Sequence, residues 1–567
     1  MKVAVDTQRN GAIGVICADR ERQVVMEFFE CFKTAWEFYR KDELYDVVIT
    51  TGEVYVKPSK INSKVLLVYG SEEGDLDRRE NFPAGPRETG AGIDYNGTFV
   101  PIYGSVLTFG TAAQPFMRSS SGGTAGFRVD RGEKTVVRIG YDLFREVEIL
   151  LTAGQPVGFA SVPTLDVHIS VLRNCILDSG IPVLEIPPVP VGHDCIACLT
   201  HDVDFLRVTD HGLDHTILGF LYRATIGSIL GFVKGQIPWT RLIQNWKAAL
   251  SLPVVHAGLC SDFWFEDFGR YFDIEKDLGS TFFFIPFKNS PGDKVEVRHS
   301  RRRAAKYDVR DAAELIGTLE QQGFEIGVHG IDAWHSREGA AKERARISDV
   351  APASTGIRMH WLCFGENSWQ ILDEVGFQYD STFGYNDAIG YRAGTTQVFR
   401  PLGVKNLVEL PLHIQDVALF GHGRSEAESW KACESILDQA SINGGVVTVL
   451  WHTRSLAPER FWGEFYVRLI DELKRRRAWF ATAGQVVEWF QKRRSLSLCN
   501  VRFSENGIRF FLKNESRETI DSQFLARVHL PHSEVSAIGN QQRHYYHDHV
   551  WRGEPDMDIH VEFQGVL

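Results

Sequence analysis

Three successive rhythms of apolar and polar positions divide the chain. Over the first 190 residues, short apolar runs such as YDVVIT (45–50) and KVLLVY (64–69) read as strands, preceded by a helical pattern around VVMEFFECFKTAWEFY. The combination predicts an α/β domain. The stretch from there to residue 134 is rich in glycine, serine and proline and includes SSSGG at 119–123. No GKS, GKT or GxGxxG follows a strand, so a surface loop is expected there and not a phosphate cradle. IPVLEIPPVPV (181–191), with four prolines, reads as a strand running into a stiff linker, and a domain boundary is placed there.

From 195 to about 490 the rhythm becomes strand, helix, glycine, repeated. CIACLTHDVD, STFFFIP (280–286), FEIGVH (324–329) and VVTVLWH (446–452) are strand candidates, the last with so little polar content that both of its faces should be covered. Asp308 is placed to cap a helix whose apolar positions Val309, Ala312, Leu315, Ile316 and Leu319 follow the 3.6 period, and Gly323 to end it. Ser368 opens a similar helix that stops at Gly376. Such repetition implies a parallel sheet or a barrel, with functional residues at the carboxyl ends of its strands. After 490 the pattern turns to short alternating strands: LCNVRF and IRFFLK form a hairpin about Asn506-Gly507, and MDIHVEF is a further strand. The expected organisation is an N-terminal α/β domain (1–190), a central α/β barrel (191–490) and a small β-sandwich-like domain (491–567).

The strand candidate at 195 ends in LTHDVDF. Alternation puts Thr200, Asp202 and Asp204 on one face and His201 and Val203 on the other. Two carboxylates this close, at the mouth of a core, repel one another and lose hydration unless a cation or a proton stabilises them. A metal explains the pair economically, one aspartate ligating while the other accepts a proton from water. The bland alternative is a solvated strand end that caps the next helix.

Composition narrows the classes. At 567 residues, two to four domains are expected. Sixty-two basic against seventy-three acidic residues give a net charge of −11 with no long basic run, which argues against a nucleic-acid binder. Nine cysteines without framework spacing suggest reduced thiols and a cytoplasmic setting, and the start MKVAVDTQRNGAIG predicts no cleaved signal peptide. TILGFLYRATIGSILGFVKG (216–235) is the nearest thing to a membrane span, but Arg223 interrupts it; a buried helix or an active-site lid is expected, with contact to a lipid-linked substrate left open.

THDVD closely resembles the first motif of the polysaccharide deacetylase superfamily, and the resemblance extends over roughly 195–490 with five motifs in order. It implies a distorted (β/α)7 barrel in which Asp202 is the general base and Asp204 binds a divalent transition metal, zinc by preference. In the second motif His329 matches the first of two ligand histidines, but the position four later is Ala333. Asp332 and His335 are the nearby replacement ligands, and His360 could approach from a neighbouring strand. The third motif falls on GIRMHWL, where Arg358 would hold the base carboxylate; the fourth falls on VELPLHIQD, offering Asp416 with His413 as a competitor; and the fifth puts His452 at a strand tip as general acid.

The implied activity is removal of an N-acetyl group from an amino sugar in a polysaccharide or glycan precursor. The alternative is a non-catalytic glycan-binding or scaffolding protein on a degenerate barrel. Several other features are read as structural: CIAC (Cys195–Cys198) as buried thiols and RHYYHDH (543–549) as an exposed loop. DHGLDH (210–215) either lines a cleft or is a polar loop, and Tyr545 and Trp551 are candidates for stacking on sugar.

Overall fold

In the computed structural model, residues 10–51, 60–110, 114–294, 302–421, 424–457, 459–460, 462–504, 507–516, 523–531, 546–551 and 557–562 are described. Of these, 193–392 and 403–488 form one unit, and the residues up to Gly192, Ala393–Leu402 and those from Trp489 onward form the other.

The first unit is built on nine strands: β1 (Ile196–Val203), β2 (Ser280–Phe284), β3 (Glu325–Gly330), β4 (Gly356–Met359), β5 (Tyr379–Asp380), β6 (Val408–Glu409), β7 (Ile414–Gln415), β8 (Val446–Leu450) and β9 (Trp479–Phe480). Their order is β6-β5-β4-β3-β2-β1-β8-β7, with β9 also on β1, and every pairing is parallel. The sheet curls into a distorted barrel left open between β6 and β7, which do not pair among the described residues. β1, β2 and β8 are buried at every position, as strands covered on both faces must be. Val203 lies opposite Phe284, Phe284 opposite Val328 and Val328 opposite Ile357, so the carboxyl ends of β1 to β4 come level.

The capping residues act as their chemistry predicts. The Asp308 carboxylate accepts from Arg310 N, and the helical segment it opens runs to Gln321 before Gly323 turns the chain at φ +84°. Ser368–Val375 ends at Gly376, φ +89°. After β1 the chain leaves the barrel as a helical hairpin: α1 (His215–Tyr222), a π-helical turn over Arg223–Gly227, α2 (Ser228–Val233) and, returning, α3 (Trp239–His256). The sequence suggests burial for this segment. Instead Leu218, Tyr222, Ile226, Ile229, Leu230 and Val233 are exposed.

The other unit contains an eleven-stranded mixed sheet with a parallel core made by Asn10–Ile16, Trp36–Phe38, Tyr45–Thr51, Ser63–Tyr69 and Lys134–Ile139. Its first helix, Arg22–Cys31, is shorter than the apolar pattern suggests. Trp36 pairs in strand register with Ile13 and stacks on Phe29 at 4.7 Å, so tertiary packing takes TAWEFY out of the helix. SSSGG forms the turn between Gln114–Ser119 and Thr124–Arg131.

Two three-stranded sheets complete this unit. One joins Val183–Glu185 to Phe524–His529 and Tyr546–Trp551, and the other joins Leu496–Ser504, Gly507–Asn514 and Met557–Glu562. The two strands of the hairpin pair as far as Ser504 and Gly507, and Asn506, like Tyr545, lies outside the described residues. RHYYHDH is a strand from Tyr546 on and not a loop, because cross-strand pairing with 524–529 satisfies its backbone.

Candidate metal centre

Every residue that sequence reasoning placed on the Thr200 face lies at the carboxyl end of β1. Thr200 and Asp202 are buried, which removes the solvated-cap alternative for Asp202. His201, on the opposite face, is enclosed by Tyr271, Phe282 and Tyr466 and pairs with Glu275 at 3.0 Å, a core role.

Asp204 follows β1, His329 is the penultimate residue of β3 and His360 follows β4. One donor atom from each converges on a common point, all within 4.8 Å of one another. Asp204 Oδ1 lies 3.1 Å from His360 Nδ1 and 3.4 Å from His329 Nε2, and the two ring nitrogens are 3.0 Å apart. Yet Asp204 Oδ1 is buried without a satisfying hydrogen-bond donor. One carboxylate oxygen and two imidazole nitrogens are an ordinary donor set for a divalent transition ion, so the residues fit the cation that the motif implies. Enclosure disfavours the Asp204 carboxylate, but His360, His329 and His452 outweigh it and hold Asp204 well below the usual range. For His360 burial wins over the pull of Asp204, and its pKa is lowered.

The structure does not bring Asp332 or His335 into this group. They pair with each other at 3.1 Å, and Asp332 Oδ1 also accepts from Asp293 N. Ala333 leaves the position where the motif has its second histidine without a ligand, and His360 reaches the centre from the next strand. The chain turns sharply after it, with Trp361 at φ +62° and Leu362 at φ +48°.

Two further pairs flank the centre. Arg358 on β4 is fully buried; its Nη1 donates to Asp202 Oδ1 at 3.1 Å and to Thr200 Oγ1 at 2.7 Å, while Nε and Nη2 donate to Ser381. Asp202 Oδ2 lies 3.7 Å from His329 Nε2. Beyond β8, His452 Nδ1 meets Asp416 Oδ1 at 2.7 Å, and its Nε2 lies 3.8 Å from Asp204 Oδ2. Burial pulls His452 down, but the carboxylates, Asp416 foremost, raise it to about 9. It is therefore a cation near neutrality. His413, the competitor for Asp416, accepts at Nδ1 from Thr448 N at 3.3 Å.

Sequence reasoning missed Ser455, whose hydroxyl donates to Asp416 Oδ2 at 2.5 Å, and Trp361 and Arg303, which border the cavity over Asp204 and His360. The one available signal for Ser455 was its position three residues after His452. His211 and His215 of DHGLDH border the same cavity, so that stretch lines a cleft. Cys195 and Cys198 are buried free thiols.

No family model and no curated protein matches this chain. Among solved structures, a protein described as a polysaccharide deacetylase from Mycobacterium smegmatis is similar at 18% identity and a TM-score of 0.32, over 54% of this chain and 95% of that one. The carbohydrate deacetylase Agd3 is similar at 9% identity and a TM-score of 0.37, over 98% and 99%. The allantoinase Puue is similar at 13% and 0.31, over 54% and 93%. All three are distant likenesses, at low identity and low TM-score.

Proposed function

We propose that this chain is a metal-dependent hydrolase that removes an N-acetyl group from an amino sugar of a glycan or glycan precursor. The observation that carries the reading is the convergence of Asp204, His329 and His360 between an arginine-held carboxylate and a carboxylate-held imidazole. Asp204, His329 and His360 would hold the cation, zinc by its donor set. When bound, such an ion supplies Lewis acidity toward a carbonyl oxygen and lowers the pKa of water.

The remaining work falls to the chain. Asp202 takes the proton of the attacking water; Arg358 fixes the Oδ1 edge of its carboxylate. His452, a cation near neutrality, gives its Nε2 proton to the departing nitrogen as the carbon–nitrogen bond breaks, and acetate and a primary amine leave. Asp416 fixes the tautomer of His452 and stabilises its charge. Trp361, 41% exposed at the cavity edge, offers a flat face for a sugar ring.

The test combines elemental analysis with acetate release from a panel of N- and O-acetylated sugars. The full chain is expected to carry about one equivalent of a transition metal and to release acetate. His360→Ala is expected to lose the metal and the activity together, while His335→Ala keeps both. A metal-replete protein that releases no acetate from the panel would refute the hydrolase, and a His360→Ala variant with full metal content would refute the ligand set.

A further inference from the structure

The face of the hairpin that leaves β1 is unlike the rest of the surface. Along α1, the π-turn and α2, the exposed side chains Leu218, Tyr222, Ile226, Ile229 and Val233 recur every three or four residues and form one stripe. Along α3, Trp239, Ile243, Trp246, Leu250 and Val254 form a second. Both stripes are open to solvent, and together they far exceed the scattered apolar side chains of an ordinary surface. From His215 to Ser261 there are four basic residues, Arg223, Lys234, Arg241 and Lys247, and no acidic one, in a chain of net charge −11. Beside α3, Arg241, Lys247 and Arg270 border a cavity of about 720 Å³ in which Glu464 is the acidic wall.

We infer that this hairpin is a membrane-docking element that lies in the headgroup region of an anionic lipid bilayer. Paired apolar stripes, exposed tryptophans and the exposed cations Lys234 and Lys247, in a hairpin that itself has no acidic residue, are what an interfacial helix requires; Arg241 is already paired with Glu464. A second copy of the chain is the poorer occupant, because self-pairing sets basic flanks against basic flanks. By length and composition His215–Val233 could cross a bilayer. Both ends of the hairpin, however, rejoin the barrel, and the returning α3 carries Arg241, Gln244 and Lys247, which the hydrocarbon core would exclude. The element therefore lies on the membrane and does not span it.

The foot of the hairpin borders the site. His215 and Thr216 of α1 line the same cavity as Asp204 and His360. Docking would bring that cavity to the headgroup layer, where an acetylated sugar carried on a lipid is presented. This extension to the substrate rests on the proposed hydrolase, whereas docking itself needs no catalysis, so the two fail separately.

Flotation of the full chain with phosphatidylcholine vesicles, with and without phosphatidylglycerol, tests the inference. Binding is expected to the anionic vesicles and to weaken with salt. Trp239→Ser/Trp246→Ser is expected to weaken partitioning by about tenfold for each side chain lost. Lys234→Glu/Lys247→Glu is expected to weaken it by about tenfold or more on the anionic vesicles alone. Because both lysines are exposed, this second variant decides the matter if the first fails to fold. The inference is overturned if the full chain stays unbound at low salt, if the lysine variant binds the anionic vesicles as the parent does, or if sedimentation shows a dimer that the tryptophan variant dissociates.

Discussion

Asp416 is buried and accepts four hydrogen bonds, from Val417 N, His452 N, His452 Nδ1 and Ser455 Oγ, so its ionised form is well compensated and its pKa lies below the usual carboxylate value despite its burial. Asp416→Asn keeps the shape but turns an amide N–H toward one of these donors and frees the imidazole to take the wrong tautomer. Acetate release is expected to fall by about a hundredfold or more through kcat, with metal content unchanged. Arg358→Lys is a different kind of loss. An ammonium cannot span Thr200, Asp202 and Ser381, and the stranded buried carboxylate should cost about 3–5 kcal/mol, read from the urea midpoint. At this scale much was legible in the sequence. Strand alternation brought Thr200, Asp202 and Asp204 together, and motif order suggested Arg358, Asp416 and His452. The sequence could not choose among Asp332, His335 and His360, because that choice depends on where β4 lies beside β3 and on the turn at Trp361, neither of which leaves a periodic trace.

Between elements, close approach sets the register of the barrel. At Gly356, where β4 begins, an added methyl group would meet the Tyr379 ring at 1.8 Å, and that ring is held by its hydroxyl donating to Glu325 Oε1 at 2.8 Å. Gly356→Ala should therefore push β5 from β4 and destabilise the first unit by about 3 kcal/mol, seen as a lower melting temperature. Gly323→Ala, where only the positive φ matters and no atom lies near, should cost about 1 kcal/mol. The helical segment that Asp308 caps and Gly323 ends was readable because both signals are local. The Arg22–Cys31 helix was overextended because the aromatic residues that end it, Trp36 and Phe38, fit a helical pattern equally well until Ile13 and Phe29 claim Trp36. The hairpin was misjudged for the opposite reason. Its apolar content is that of a core, and composition alone does not say which side of a helix faces water.

For the molecule as a whole, buried carboxylates tie stability to pH. Glu146, 1% exposed, accepts from Tyr103 N and Gly104 N, and burial raises it from the ordinary 4.5 to about 7. Since the unfolded chain gives up this proton first, the contribution is full below pH 4.5 and is lost as pH rises through about 7. Glu146→Gln carries a fixed penalty where its amide faces an N–H, but no titration. Between about pH 5 and about pH 8 the stability difference should shift toward the variant by on the order of 3 kcal/mol, a slope that denaturation at several pH values would measure.

The unit that contains Glu146 is drawn from three separate stretches of the chain, and Val183–Glu185, to which Thr34 bridges at Glu185, pairs along its length with Phe524–His529. During vectorial synthesis the ribosome completes every strand of the barrel before that partner emerges. The barrel can therefore mature first, while the earlier-made Val183–Glu185 strand waits with one edge unpaired until Phe524–His529 arrives.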